Sequence, residues 1–444
     1  MSTTVDPALE SFANGENNAA WDLPAPPARG LRGRIAQRVV SRILRKIPVT
    51  ARLATGEVYG DGGGTHPGID IVDPERFFAR LGRSPLIGLG ESYMAGEWRT
   101  TPGSDLADAL APFAARLTEL IKPSFYRLRH VVLPRMLSSE ENTRDGARKN
   151  IERHYDLSND MFQQFLDASL SYSSALFKTL DPPPSLNQLE AAQLHKVDAI
   201  LDAAAVGPGS RLLEIGTGWG TLAIRAAERG AHVTTITIST EQAALARQRV
   251  EAAGVGDRVE IALRDYRDQT GEFDAVISVE MVEAVGEKYW PTYFATIDSL
   301  LATGGRVVIQ AILLEHHRLE ATRNTYTWIH KYIFPGGLLP STEAIEQVLG
   351  QHTSLHTARI FPMGQHYAHT LRLWREKFLE NWPTVRDLGF DETFRRMWEF
   401  YLAYCEAGFR TGYLDVAQIT LERQTQAQTQ TPRRLAPPRE GAHG

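Results

Sequence analysis

Apolar runs alternate with amphipathic stretches over the middle of the chain, and this alternation predicts a sheet of parallel strands. Short apolar runs with the length of buried strands lie at 211–215, 233–238, 258–263, 273–279 and 306–312. Segments with helical spacing of apolar residues lie at 221–229, 240–253 and 287–302. Because strands that alternate with helices form parallel sheets covered on both faces, we predict an α/β fold for this region. The following region, about 320–421, is richer in aromatic residues and reads as mainly helical.

A helical period also marks an arginine-rich segment near the start of the chain. Apolar residues recur every four positions from Leu31 to Ile47, basic residues fill the other faces, and Pro48 ends the pattern. Such a helix either lies on an anionic membrane surface or packs on its own domain with a solvated arginine face. The pattern leaves both readings open.

Composition divides the chain of 444 residues into four parts. The polar segments 1–28 and 423–444 are typical of disordered tails. Between them we predict a smaller N-terminal α+β domain at 29–122, where glycine-rich turns and alternating segments follow the basic helix. The larger α/β domain is expected at 123–422.

Several classes of protein are disfavoured by composition. The single cysteine, Cys405, excludes a disulfide framework and a multi-cysteine zinc site, and we predict no metal. There is no run of 18 apolar residues and no signal-peptide pattern, so a cytoplasmic protein is expected. The net charge of −5 says little about partners, and no nucleic-acid binding is predicted.

A glycine turn between the first apolar strand and its helix is the strongest chemical signal. Gly216, Gly218 and Gly220 let the backbone turn tightly and approach a ligand closely. The spacing is G-x-G-x-G, and the next strand ends at Thr237 and Ile238 without an acid, which fits a pyrophosphate poorly. This favours a compact nucleoside cofactor such as S-adenosylmethionine, with another nucleotide on a Rossmann-like fold as the alternative.

Three further residues lie where a nucleoside would be held. Glu214, on the strand before the glycine turn, is close to the turn. Asp265 and Tyr266 follow the third strand and offer a carboxylate and an aromatic face to an adenine.

Separate motifs along the chain together resemble the cyclopropane-fatty-acid synthase family of S-adenosylmethionine-dependent methyltransferases. In chain order they are IERHYDLSND at 151–160, YSSA at 172–175, the glycine turn, the segment at 237–242, SVEMVEAVG at 278–286 and KYIFPGG at 331–337. The resemblance runs from residue 86 to Tyr404. It implies a Rossmann-like class I methyltransferase sheet with helices on both faces, together with an N-terminal lipid-associated domain.

The resemblance also implies which residues bind the cofactor. By position, the residues that would hold S-adenosylmethionine are Tyr172, Ser173, Gly216, Gly218, Gly220, Thr237, Gln242, Tyr266 and Arg267. With the strand-end residues Glu214, Ile238 and Asp265 they form the predicted cofactor set.

The implied reaction is methyl transfer to the double bond of an unsaturated acyl chain on a membrane phospholipid. An alkene that attacks a sulfonium methyl becomes a carbocation, which needs a dry site and a final base. In this family the implied base is bicarbonate, held by residues that match Ser174, Glu283, Gln310, Ile312 and Tyr367. Serine and glutamine replace the family's cysteine and histidine, and Ala284 replaces a second histidine, so bicarbonate binding stays open. Glu283 is predicted to be the essential acid, and Glu280 a structural carboxylate near the site.

These departures bear on the product. Proton loss with ring closure gives a cyclopropane, whereas a hydride shift before proton loss gives an exocyclic methylene, which a reductase partner would convert to a methyl branch. The segments 279–286 and 325–340, with Gln310, resemble actinobacterial members linked to 10-methyl (tuberculostearic-type) fatty acids. We therefore predict the 10-methylene product. Ring closure, a soluble acceptor and a silent lipid-binding protein are the alternatives. A peripheral location at the inner membrane face and a homo-oligomer are also expected.

Overall fold

The computed structural model describes residues 30–60, 66–120 and 158–423, together with Leu23, Thr143 and Gly146. Nearly all of the predicted tails 1–28 and 423–444 lie outside the described residues, as does 151–157 of the first family motif. Across the described residues, no helix combines the length and the apolarity that crossing a bilayer requires.

The described elements alternate in the order that the sequence suggested for the middle of the chain. The strands are β1 Thr50–Leu53, β2 Val58–Tyr59, β3 Gly68–Ile71, β4 Trp98–Thr100, β5 Arg211–Ile215, β6 His232–Thr237, β7 Val259–Leu263, β8 Phe273–Val279, β9 Leu301–Leu314, β10 Leu355–Pro362 and β11 Leu414–Arg423. The α-helices are α1 Leu31–Leu44, α2 Pro74–Arg83, α3 Pro85–Met94, α4 Leu106–Leu120, α5 Asn159–Phe165, α6 Leu189–Ala203, α7 Thr221–Glu228, α8 Thr240–Ala252, α9 Val282–Val285, α10 Trp290–Leu300, α11 His316–Thr322, α12 Trp328–Tyr332, α13 Thr342–His352, α14 Gly364–Glu380, α15 Trp382–Asp387 and α16 Glu392–Arg410.

The N-terminal elements form a four-stranded sheet in the order β2-β1-β3-β4. Strands β1 and β3 are parallel, and the two outer pairings are antiparallel. Helix α1 packs closely on α2, because a Cβ at Gly82 would lie 2.7 Å from the backbone of Arg32. The helix ends at Leu44, so Ile47 belongs to the buried core rather than to the predicted helix.

The main sheet has seven strands in the order β10-β11-β9-β8-β5-β6-β7. The strands from β9 to β7 are parallel, and β10 and β11 are antiparallel additions at one edge. The predicted α/β fold is confirmed, but the mainly helical reading of 320–421 missed β10 and β11. Strand β10 is mostly exposed or half-buried, so its side chains carry little of the apolar signal that marks a buried strand.

The two faces of this sheet bury different sets of residues. Leu212 on β5 belongs to a cluster with Val197 of α6 and Leu222 of α7. Its neighbour Leu213 points to the opposite face, where it joins a cluster with Phe294 of α10. This alternation is the period of a strand buried on both sides, and helices therefore cover both faces.

A third core, rich in aromatic residues, connects the N-terminal sheet to the C-terminal helices. It contains Phe78 of α2 and Trp98 of β4 together with Trp374 of α14 and Trp398 of α16. All four side chains are nearly or fully inaccessible to solvent. The helices α14 and α16 thus support the N-terminal sheet on one side and the edge of the main sheet on the other.

Candidate active site

A pocket lies beyond the carboxyl end of β5, where the order of strands in the sheet reverses. From β5 the chain continues to β6 and β7 on one side and then returns to β8 on the other, which is where open α/β sheets bind ligands. The turn after β5 has left-handed backbone at Gly216 (φ +98°) and Gly218 (φ +51°). A side chain at either position would be strained, so the sequence needs glycine here.

The structure brings almost all of the predicted cofactor residues to this one pocket. The predicted residues that line it are Tyr172, Ser173, Glu214, Gly216, Gly218, Thr237, Ile238, Gln242, Asp265, Tyr266 and Arg267. Gly220 is set back from it and forms the start of α7, where its left-handed backbone (φ +89°) packs against Ala246.

Hydrogen bonds fix the polar groups around the pocket. The hydroxyl of Thr235 donates to the Glu214 carboxylate at 2.6 Å, and burial raises the pKa of Glu214 to about 8. Thr237 donates to the side-chain oxygen of Gln242 at 3.1 Å, which leaves the amide NH₂ of Gln242 available for a ligand. Asp265 accepts both a backbone and a side-chain N–H of Arg267, so the two form one rigid ion pair.

Lys196 of α6 also lines the pocket, and the sequence analysis did not select it. Its ammonium donates to the hydroxyl of Ser173 at 2.7 Å, and the side chain is 3 % exposed. Burial lowers the pKa of Lys196 to about 8, although the charges of Glu280 and Glu214 oppose the shift. A lysine on the apolar face of a helix is the sequence feature that could have identified it, because Lys196 is buried on α6 with Val197 and Ile200.

Three of the five predicted catalytic residues, Ser174, Gln310 and Tyr367, meet around a carboxylate that was predicted to be only structural. The carboxylate of Glu280 accepts the backbone N–H of Ser174 at 3.0 Å and the side-chain amide of Gln310 at 2.8 Å. Its other oxygen accepts the hydroxyl of Tyr367 at 2.8 Å. Glu280 lines the cofactor pocket and is partly accessible from it. Three elements distant in sequence therefore converge on this one side chain.

Glu283, three residues after Glu280, has different hydrogen-bond partners. One carboxylate oxygen accepts the backbone N–H of Ile312, and the other is buried with no hydrogen-bond partner among the described residues. Burial and the neighbouring charge of Glu280 raise the pKa of Glu283 to about 8. Both effects favour the protonated form of this carboxyl group.

A set of aromatic rings, which we call the aromatic wall, packs together next to Tyr367, the residue that donates to Glu280. Its members are Phe162, Phe165, Tyr172, Trp374, Trp398 and Tyr401. The hydroxyls of Tyr172 and Tyr401 lie 2.9 Å apart, so the polar ends of the wall satisfy each other. Most of the aromatic residues in the region 326–404 are buried, whereas Tyr404 is exposed.

The pocket suits a nucleoside that carries a sulfonium. The backbone at Gly216 and Gly218 leaves room for a ligand, and Gln242 and Asp265 offer hydrogen bonds to ribose and adenine. The ring of Tyr266 lines the pocket and makes a T-shaped contact with Tyr293, with 5.3 Å between the ring centroids. Glu214 and Glu280 place acidic groups where a cationic ligand would lie.

Comparison with known proteins gives matches over most of the chain. Residues 142–419 match the family model described as mycolic acid cyclopropane synthetase. The chain is 50% identical over 408 residues to tuberculostearic acid methyltransferase UfaA1 of Mycobacterium tuberculosis, covering 91% of this chain and 95% of the relative. It is 35% identical to cyclopropane-fatty-acyl-phospholipid synthase of Escherichia coli, covering 80% of this chain and 87% of the relative.

Solved structures show the same relationship. The mycolic acid cyclopropane synthase CmaA1, in complex with S-adenosylhomocysteine and CTAB, superposes with a TM-score of 0.56 at 30% identity and covers 62% of this chain and 97% of that one. The cyclopropane synthase MmaA2 of Mycobacterium tuberculosis gives the same score, identity and coverage.

Proposed function

The chain belongs to the mycolic acid cyclopropane synthetase family of S-adenosylmethionine-dependent methyltransferases, and on that premise we propose that it methylates the double bond of an unsaturated fatty acyl chain on a membrane phospholipid. The product proposed is the methylene-branched (10-methylene) acyl chain. The observation that carries the proposal is the meeting of the glycine-turn pocket with the buried carboxylates and the aromatic wall.

Each part of this arrangement answers a need of the reaction. When bound, S-adenosylmethionine supplies a methyl group on a positively charged sulfur. Glu214, the glycine turn and Gln242 would hold the nucleoside and amino-acid parts, and Tyr172 and Ser173 would cover them. Of the aromatic wall, Tyr172 lines the pocket, so its ring together with the Glu280 carboxylate would stabilise the positive charge, and the buried rings behind it would keep water out.

The choice between products rests on the relatives. UfaA1, which is named for tuberculostearic acid, covers more of this chain at higher identity than the Escherichia coli cyclopropane synthase does. This supports the methylene product, with ring closure as the second candidate. A reductase that converts the methylene to a methyl branch is part of the proposal.

The decisive experiment is mass spectrometry of acyl chains from cells that express this protein with oleate available. The expected product is a chain heavier than oleate by one CH₂ that ozonolysis splits at an exocyclic methylene. A cyclopropane has the same mass and resists ozonolysis, so that outcome would establish ring closure. Unmodified oleate together with tight S-adenosylmethionine binding by the purified protein would contradict both products.

Helix α1 supports a peripheral position on the membrane. One of its sides packs on the protein, but Leu31, Ile35 and Val39 are 73 %, 51 % and 46 % exposed. Arginines at positions 32, 34, 38 and 42 are exposed around this apolar stripe. The structure therefore combines the two readings of the sequence: one side of α1 packs on its own domain, and the other presents an apolar stripe with basic flanks, which suits an anionic leaflet.

Replacing the apolar stripe by serine (Leu31→Ser, Ile35→Ser and Val39→Ser together) is expected to weaken binding to anionic vesicles by roughly tenfold or more, since each buried aliphatic side chain contributes about 1.5–3 kcal/mol. Vesicle co-sedimentation measures the effect, and binding by the wild type should fall as salt rises. Val72→Ser with Leu388→Ser, which changes exposed apolar residues elsewhere, is the control. Equal binding by all three proteins would remove α1 from the membrane contact.

A further inference from the structure

Glu280 occupies the place that the family resemblance gives to a bound anion. Its carboxylate accepts hydrogen bonds from Ser174, Gln310 and Tyr367, which are three of the five groups matched to the bicarbonate site. A carboxylate and a bicarbonate ion present the same planar pair of oxygens to such donors. Since these donors already bind Glu280, bicarbonate does not fit this site.

The backbone conformation at Glu280 directs its side chain into the pocket. Strand β8 ends at Val279, and Glu280 follows with a left-handed φ of +52°, held by its N–H to the carbonyl of Gln310 at 2.7 Å. A residue with a side chain costs roughly 1–2 kcal/mol in this conformation, and such strain concentrates at functional sites. The strained turn aims the carboxylate into the pocket, whereas Glu283 does not line it.

The two neighbouring acids have different partners, although burial raises the pKa of both. Burial raises the pKa of Glu280, and the three hydrogen bonds and the charge of Lys196 oppose that rise by stabilising the ionised form. Glu283 has one backbone donor and lies beside Glu280, so burial and that neighbouring charge raise its pKa to about 8. Burial and the same charge raise the pKa of Tyr367 well above its ordinary value, which keeps it a neutral donor. Among the groups that face Glu280, which are Lys196, Glu283 and Tyr367, none is a free anionic base.

We infer that the carboxylate of Glu280 is the base that ends the reaction, in place of a diffusible bicarbonate ion; the inference rests on the proposed function. The π pair of the alkene forms the bond to the methyl carbon, and the C–S pair stays on sulfur. A hydride then moves with its electron pair to the neighbouring cationic carbon. Glu280 takes a proton from the new methyl group, the C–H pair becomes the exocyclic double bond, and the proton leaves to solvent.

The variant Glu280→Gly tests this directly. Glycine adopts the left-handed backbone without strain, and removal of the Glu280 side chain frees the three hydrogen-bond donors. Turnover in carbonate-free buffer is expected to fall roughly 100-fold or more, the usual contribution of a positioned base. Added bicarbonate should bind in the vacated site and restore turnover in a saturable way. Calorimetry should detect bicarbonate binding to this variant and none to the wild type, whose turnover should not change when carbonate is removed.

Further variants and measurements separate this idea from its alternatives. Glu280→Gln fills the same space without a base, so its turnover should fall and stay low when bicarbonate is added. Binding of S-adenosylhomocysteine by both variants shows that the pocket is intact, and Glu346→Gln, at an exposed position of α13, is the matched control. Bicarbonate binding by the wild type, or wild-type turnover by Glu280→Gly without bicarbonate, would overturn the inference. If the wild-type protein forms no modified acyl chain, the proposed function is wrong. Calorimetry with bicarbonate still tests whether Glu280 occupies the anion site in that case.

Discussion

Replacing Gly216 by alanine is expected to weaken binding of S-adenosylhomocysteine by roughly 100-fold, from two effects that act together. The left-handed backbone at Gly216 disfavours any side chain by about 1–2 kcal/mol. The new Cβ would also lie 2.8 Å from Cγ of Met281, so the pocket wall would have to move where a ligand packs against it. Isothermal titration calorimetry measures the loss.

The control is Gly209→Ala, which introduces the same kind of backbone strain at a position outside the pocket. Gly209 also has a left-handed backbone (φ +79°), yet a Cβ there meets nothing within 4 Å, and it lies before β5, away from the pocket. This variant should be slightly less stable and bind the ligand normally. Binding by Gly216→Ala within a few-fold of the control would show that the glycine turn does not form the cofactor site.

Replacing Arg375 by methionine is expected to lower the free energy of unfolding by about 3 kcal/mol, because it takes an arginine away from the buried carboxylate of Glu406, which keeps Arg410, and from the half-buried carboxylate of Asp105. Arg375 of α14 makes two hydrogen bonds to Asp105, at 2.8 and 3.0 Å, and a third to Glu406 of α16 at 2.9 Å. Asp105 in turn accepts the backbone N–H groups at the start of α4. The residue therefore joins the N-terminal part of the chain to the two long C-terminal helices, and urea unfolding followed by circular dichroism measures its effect.

Arg211→Met is the matched comparison for this prediction. Arg211 also pairs with one aspartate through two nitrogens, but its side chain and that of Asp274 are 49 % and 44 % exposed. Exposed pairs contribute about 0–1 kcal/mol, so this variant should unfold almost as the wild type does. Equal losses from the two variants would mean that burial does not set the contribution of these pairs.

The parallel half of the main sheet could be predicted because its strands are short apolar runs and three of the five are followed by a predicted helical segment. The antiparallel half could not. Residues 355–362 pair with a strand far away in sequence, and their side chains are mostly half-buried or exposed. Likewise, the basic helix was predicted to continue to Pro48, but it ends at Leu44, and Ile47 is buried in the N-terminal core instead.

Most of the cofactor pocket was predictable for a simple reason: the carboxyl ends of parallel strands share one edge of a sheet, so residues after β5, β6 and β7 must meet there. The acid site was less accessible to sequence reasoning. Its residues Ser174, Gln310 and Tyr367 came from the family resemblance, and the structure brings them together around Glu280. The hydrophobic pattern does not predict the left-handed turn that directs Glu280 into the pocket. It also does not predict that Lys196 donates to Ser173.

Strand β11 lies between β9 and β10, although it follows both in the chain. During synthesis, the ribosome therefore makes β10 and the long helices α14 and α16 before the strand that joins β10 to the sheet exists. Until Leu414–Arg423 emerges, β9 exposes an unpaired edge that other nascent chains could extend. Translation of β11 thus completes the sheet, and a ribosome stalled before this segment would expose the unpaired edge of β9 to chaperones and proteases.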